Sequence, residues 1–325
     1  MAAPVVQRDL IFRAMEAARA EQSADLVERV VQPAAAEPVI AKRADIHELR
    51  SDKPAVDAPP IASFDQTDAI LSARSRSEQR RTSNAQTIDW GKLRMEGVIV
   101  PNAEPTRVTE EFRIIKRPLI ALAGDRASDR ASRGNIIMVT SARPREGKTY
   151  VSLNLAMSLA SERDMNVLLI DADCHHPQIP RMLGINAEQG LLDVLQGPGL
   201  DLSDVLIRTD CPNLTVLPSG RRVPESTEML SSQRMADLVA EISERYRDRM
   251  VVIDTPPVLS TSEASALARL VGQVVFVVEA NVTGTSLVQE ALSMISACPH
   301  ISVVLNKRDG RPDDSGFGYS SYYYG

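Results

Sequence analysis

Ile136-Ile137-Met138-Val139-Thr140-Ser141-Ala142-Arg143-Pro144-Arg145-Glu146-Gly147-Lys148-Thr149 decides the fold of this chain. A strand-like apolar run passes into a loop ending in Glu-Gly-Lys-Thr. A helix-forming stretch follows through Ser152, Leu153, Leu155 and Ala156. Strand, loop and helix in that order surround phosphate oxygens with backbone N–H groups at a helix N-terminus. Ala142 to Thr149 nearly matches the G-x-x-x-x-G-K-[ST] phosphate loop, with alanine at the first glycine position. The expected nucleotide contacts are Ala142, Arg143, Pro144, Arg145, Glu146, Gly147, Lys148, Thr149 and Tyr150. Lys148 should reach the β- and γ-phosphates, and the Thr149 hydroxyl should ligate Mg2+.

Two further apolar runs end in acids. Val167-Leu168-Leu169-Ile170 leads into Asp171-Ala172-Asp173, and Met250-Val251-Val252-Ile253 leads into Asp254-Thr255-Pro256-Pro257. In a parallel sheet the C-terminal ends of neighbouring strands share one crevice with the loop. Asp254 is the expected magnesium-holding acid. The i,i+2 spacing of Asp171 and Asp173 in extended chain predicts both side chains on one side, toward the terminal phosphate. One of them, Asp171, is a second candidate for the metal, and the other is placed to orient or deprotonate an incoming hydroxyl. Lys148, Asp171, Asp173 and Asp254 are thus the candidate catalytic set. Cys174, His175 and His176 stand beside the acids, but three adjacent residues rarely converge on one tetrahedral zinc.

The last apolar run, Ile301 to Leu305, is followed by Asn306-Lys307-Arg308-Asp309. Its N-K-x-D form is the one that reads guanine, which makes GTP a rival. The Asp254 run carries no D-x-x-G glycine and the Asp171/Asp173 pair is foreign to that plan, so ATP is the expected nucleotide, with Asn306 near the base edge.

Around these motifs, strands at 136–140, 166–170, 214–217, 250–253, 273–279 and 301–305 alternate with helices at about 148–161, 227–246, 262–269 and 284–296. This is the βα pattern of an α/β, P-loop NTPase-like three-layer fold with a mostly parallel central sheet flanked by helices. Trp90, Leu93, Met95, Val98 and Ile99 are expected to pack onto that domain. Residues 1–88 read differently: a weakly striped helix over about 9–22, a proline-punctuated linker over 32–60, and a polar arginine- and serine-rich stretch over 73–85. The expected organisation is 1–88 N-terminal helix and linker, 89–309 catalytic domain, and 310–325 flexible tail.

The chain has 325 residues, a formal net charge of -6 and three cysteines. The charge argues against nucleic acid as the main partner, and the cysteine usage suits a reducing compartment. No run approaches a membrane span and no secretory signal is visible, so a cytoplasmic location is expected. Tyr319, Tyr322, Tyr323 and Tyr324 are four of the six tyrosines, crowded into Tyr319-Ser320-Ser321-Tyr322-Tyr323-Tyr324-Gly325. Beside a nucleotide site they are candidate phosphate acceptors.

Taken with Gly190-Leu191-Leu192-Asp193-Val194-Leu195 and Leu217-Pro218-Ser219-Gly220, these motifs resemble the bacterial P-loop protein-tyrosine kinases. Within them the chain is similar to the autokinases that accompany exosortase-linked exopolysaccharide systems. The resemblance covers roughly residues 89–309 and implies Mg-ATP-dependent autophosphorylation of the tyrosine tail. It also implies rings in which one subunit's tail enters the next subunit's site, through an E-x-x-R-x-x-R motif that falls here on Glu110, Arg113 and Lys116. A separate transmembrane polysaccharide co-polymerase, or chain-length regulator, is the implied membrane partner, with the kinase peripheral at the inner face of the cell membrane.

The chain departs from the family at several points. Arg145 occupies a usual glycine position, His175 and His176 replace arginines after the acidic pair, and Glu263 replaces an aspartate. These changes keep open a catalytically weakened ATP-binding regulator. A partitioning-type or scaffold ATPase is the other alternative, disfavoured because Arg143 stands where that class often has a second lysine.

Overall fold

The computed structural model describes residues 85–124, 133–197 and 199–308. The expected N-terminal helix, the linker, most of the 73–85 stretch and the tyrosine tail lie outside the described residues. The strands are β1 (Ala85–Gln86), β2 (Ile136–Ser141), β3 (Asn166–Asp171), β4 (Ile207–Thr209), β5 (Leu214–Leu217), β6 (Arg249–Asp254), β7 (Gln273–Glu279) and β8 (His300–Asn306). They form one sheet in the order β1-β4-β5-β3-β6-β2-β7-β8. All neighbours run parallel except β4 and β5, which are antiparallel.

Alternate residues of the central strands feed two separate cores. Ile136, Met138, Leu168, Ile170, Val251 and Ile253 point into one, and Ile137, Val139, Val167, Leu169, Met250 and Val252 into the other. A strand with apolar side chains on both pleats must be covered on both faces. On one face lie α5 (Leu191–Gln196), α8 (Gln233–Arg245), α9 (Glu263–Ala268) and α10 (Thr285–Met294), through residues such as Leu192, Met235, Val239 and Leu267. On the other lie α1 (Trp90–Met95), α2 (Arg107–Gly124), α3 (Lys148–Ala160) and α4 (Ile179–Leu183), through Leu93, Phe112, Leu155 and Ile179. The expected three-layer α/β architecture is present.

The differences are local. The expected helix over 227–246 is two helices, α7 (Ser226–Leu230) and α8, because Ser232 leaves the helical conformation and its side chain caps α8 by accepting from the Met235 N–H. β1 and β4 are too short to carry a periodic pattern. β1 nevertheless joins the sheet edge, and buried Ile88 donates its N–H to Asp210, so the sheet begins a few residues before 89. Leu93, Val98 and Ile99 are buried as expected, whereas Met95 is 84% exposed, on the far side of its single helical turn and a half.

Candidate functional site

The order β3-β6-β2 puts the three motif-bearing strands side by side, with their C-terminal ends at one crevice. Register makes Asp171 the neighbour of Asp254 across β3 and β6, and Asp254 the neighbour of Val139 across β6 and β2. The loop after β2 then turns into α3 through Gly147, whose φ of 95° is left-handed. A Cβ there would meet Asn306 Nδ2 at 2.0 Å, so this position needs glycine both for its backbone angle and for its closeness to β8. α3 is buried nearly throughout, which fixes the helix N-terminus and its unpaired N–H groups rigidly against the sheet.

The four expected catalytic residues come together. Lys148 Nζ lies 2.6 Å from Asp173 Oδ2. Burial works against the Lys148 ammonium, but Asp254, Asp173 and Asp171 outweigh it and raise its pKa. Asp254 Oδ1 accepts from Ser152 Oγ at 3.0 Å, while its Oδ2 is buried with no partner among the described residues. Burial raises the Asp254 pKa to about 6, against the opposing pull of Lys148 and the Thr149 and Ser152 hydroxyls. Asp171 is also raised well above the carboxylate range, first by burial and then by Asp254.

Asp171 and Asp173 do not act as an extended i,i+2 pair. β3 ends at Asp171, and the chain turns there. Asp171 Oδ1 accepts the Asp173 N–H at 3.3 Å, and its Oδ2 accepts the Gln178 and Ile179 N–H groups at 3.1 Å each. Asp171 therefore ties the loop back onto its own strand. Asp173, held in that loop, is the acid that reaches Lys148, and its Oδ1 accepts the His176 N–H at 3.1 Å.

The phosphate loop is braced by side chains from distant segments. Glu146 Oε2 accepts the Arg143 N–H at 2.7 Å and its Oε1 accepts from Thr283 Oγ1. Asn306 Nδ2 donates to the Glu146 carbonyl at 2.8 Å, and Lys307 Nζ donates to the Arg145 carbonyl at 2.5 Å. The amide of Asn306 thus supports the loop backbone, leaving its buried Oδ1 without a partner among the described residues. Arg145 has φ 70°, the left-handed conformation that suits glycine and strains arginine. The Tyr150 hydroxyl donates to the Gly97 carbonyl at 2.7 Å, so that side chain secures the segment after α1. One expectation needs correction. Lys116 does not share an exposed face with Glu110 and Arg113: six residues along a helix turn it about a third of the way round from Glu110. It is buried instead, donating to Ser158 O at 2.5 Å and pairing with Glu162 at 2.7 Å. Glu110 and Arg113 remain exposed and paired with each other.

Sequence reasoning missed several supporting residues. Ser152 sits one turn beyond Lys148, a helical spacing that could have flagged it. Thr283 and Arg222 lie far away in sequence and gave no local signal, and Lys307 was read only as part of the N-K-x-D motif. Arg222 Nη2 sits 3.4 Å from His175 Nδ1, and His175 Nε2 sits 3.0 Å from Glu263 Oε1. The chemistry of this donor set fits a nucleoside triphosphate: uncapped N–H groups at the α3 N-terminus, a buried ammonium, and one carboxylate, Asp254, with a free buried oxygen.

Comparison with known proteins agrees. Residues 134–300 match the family described as an AAA domain. The tyrosine-protein kinase wzc of Salmonella typhimurium is 33% identical over 199 residues, covering 59% of this chain and 27% of that protein. The tyrosine-protein kinase ptk of Acinetobacter johnsonii is 32% identical over 142 residues, covering 44% of this chain and 19% of that protein. The chain therefore spans only about a quarter or less of the length of these curated relatives. Among solved structures, the kinase domain of Escherichia coli tyrosine kinase ETK superposes with a TM-score of 0.57 at 26% identity, covering 74% of this chain and 92% of that one. The chimerical protein CapA2B2 does so with the same TM-score and identity, covering 69% and 93%. With residues 134–300 matching its model, the chain belongs to the AAA-domain family, and over that domain it is similar to bacterial tyrosine-protein kinases.

Proposed function

We propose that the chain is an ATP-dependent protein-tyrosine autokinase whose acceptors are Tyr319, Tyr322, Tyr323 and Tyr324 of a neighbouring copy. The observation that carries this reading is the meeting of Lys148, Asp171, Asp173 and Asp254 at one crevice beside the Gly147 loop. Loop N–H groups and Lys148 bind the phosphates of ATP and stabilise charge on the transferring phosphoryl. Thr149, Asp254 and Asp171 would hold Mg2+, which supplies charge neutralisation at the β- and γ-phosphate oxygens. The free Oδ2 of Asp254 is the oxygen best placed for it. Asp173 orients the phenol and takes its proton. The tyrosine oxygen forms a bond to the γ-phosphorus, the bond from that phosphorus to the bridging oxygen breaks, and ADP leaves with the electron pair.

The same reading places the enzyme in exopolysaccharide polymerisation and export. It works there through a separate membrane co-polymerase at the inner face of the cell membrane. Among the described residues no helix is long and apolar enough to cross a membrane. Self-association as a ring uses exposed Glu110 and Arg113.

A weakened, ATP-binding regulator is the second reading, favoured by the left-handed Arg145 in the loop. Incubation with Mg-ATP followed by mass spectrometry separates them. The kinase reading expects phosphate on the tail tyrosines, lost in Lys148→Met. ATP hydrolysis without phosphotyrosine points to a scaffold or partitioning ATPase, and nucleotide binding with neither reaction to the weakened regulator.

A further inference from the structure

Beside the strand-end acids lies a cleft of about 320 Å3 lined by His175, Arg222, Val223, Pro224 and Ser226. One chain of hydrogen bonds organises it. A guanidinium has donors and no acceptor, so His175 Nδ1 must accept from Arg222. The ring proton then sits on Nε2 and is donated to Glu263, whose side chain is only 1% exposed. A single neutral tautomer satisfies both contacts, and the buried carboxylate fixes the imidazole that in turn orients Arg222. Burial opposes the charge on Glu263, but hydrogen bonds from its own backbone N–H and from His175 win and lower its pKa. The loop carrying His175 is itself anchored on Asp173, through the His176 N–H.

Arg222 and Arg221 are both exposed. Arg222 adds positive charge at the rim of a crevice that holds three buried carboxylates and one ammonium, Lys148. An acceptor segment that is itself acidic needs such compensation to approach. The chain's tyrosine cluster is preceded by Asp313 and Asp314. From Asp314 to Tyr319 an extended chain spans at most about 17 Å, a reach suited to joining this cleft to Asp173, two residues from His175.

We propose that Arg222, oriented by His175 and Glu263, is the specificity-determining cation of an acceptor subsite for an acidic tyrosine-bearing peptide, the Asp313–Asp314 segment of a second copy. The bidentate fork of arginine suits a carboxylate in a way that a lysine at this place does not match. The proposal rests on the kinase reading and adds to it the side of the site that selects the acceptor.

The test uses the full chain and synthetic peptides of residues 311–325, one native and one with Asp313→Asn and Asp314→Asn. Arg222→Ala should raise KM for the native peptide about fivefold, with kcat falling less than about twofold. The Asn peptide should show the raised KM with the unaltered chain and no further loss with Arg222→Ala. Arg222→Lys should recover part of the effect, and His175→Ala should reproduce part of the loss. Equal KM values for the two peptides, or a loss confined to kcat in Arg222→Ala, would overturn the subsite. Anisotropy of the labelled native peptide, with a non-hydrolysable ATP analogue present, reads the same preference without turnover. If no peptide or tail is phosphorylated at all, the kinase reading fails. The anisotropy arm then still decides whether Arg222 binds the acidic segment.

Discussion

At the scale of single residues the site is a compromise between binding and stability. Asp254 holds its proton more tightly in the folded chain, because burial raises its pKa to about 6 from 3.8. Its ionised form therefore costs stability, by nothing below about pH 4 and by the full amount above about pH 6. The gap corresponds to at most about 3 kcal/mol. Asp254→Asn keeps an oxygen for Ser152 and removes that cost. Its nucleotide-free form should melt higher than the unaltered chain at pH 7.5 and equally at pH 4, while Mg2+-dependent nucleotide binding weakens. A gain of the same size at both pH values would refute the account of Asp254. Arg145 also costs stability. Its left-handed backbone costs about 1–2 kcal/mol, partly offset by the smaller unfolded-state entropy of a non-glycine residue. Arg145→Gly should therefore stabilise by up to about 1 kcal/mol in urea unfolding, and a destabilised variant would mean that the Arg145 side chain contributes contacts outweighing its backbone strain.

At the scale of elements, the strands that hold the site were legible because chemistry and periodicity coincide there. Val167–Ile170 and Met250–Ile253 are apolar on both pleats and end in carboxylates, a pattern that only a doubly covered strand with a polar C-terminal end explains. α3 could be read from its place after Lys148. What stayed hidden was set by contacts between distant segments. No local pattern says that Asn306 and Lys307 brace the phosphate loop, or that Arg222 comes to His175. The motif on Glu110, Arg113 and Lys116 implied one shared contact, yet Lys116 points inward and joins α2 to the end of α3. That clamp has a cost if broken on one side, since Lys116 is buried and Glu162 is half exposed. Lys116→Glu should destabilise the domain by roughly 3 kcal/mol or more, and Lys116→Met by clearly less. Measured by thermal melting, equal small losses for both would show that the buried pair contributes nothing.

At the scale of the whole molecule, the proposed autokinase requires copies to meet. Each phosphotyrosine adds about 1.5 to 2 negative charges. Several on one tail should repel the acidic crevice and each other, so the assembly should lose mass in solution after Mg-ATP treatment. Light scattering that shows an unchanged assembly carrying multiple tail phosphates would reject this. Arg113→Glu should shift the untreated chain toward the monomer while its melting temperature stays unchanged, because Arg113 is exposed. The central claim is that the crevice of one copy phosphorylates the tail of another. The most direct measurement mixes two chains in Mg-ATP, one inactivated by Lys148→Met with its tail intact, the other active with Tyr319, Tyr322, Tyr323 and Tyr324 replaced by Phe. Phosphotyrosine on the Lys148→Met chain is the predicted result. Its absence from the mixture, while the unaltered chain phosphorylates its own tail, would contradict transfer between copies.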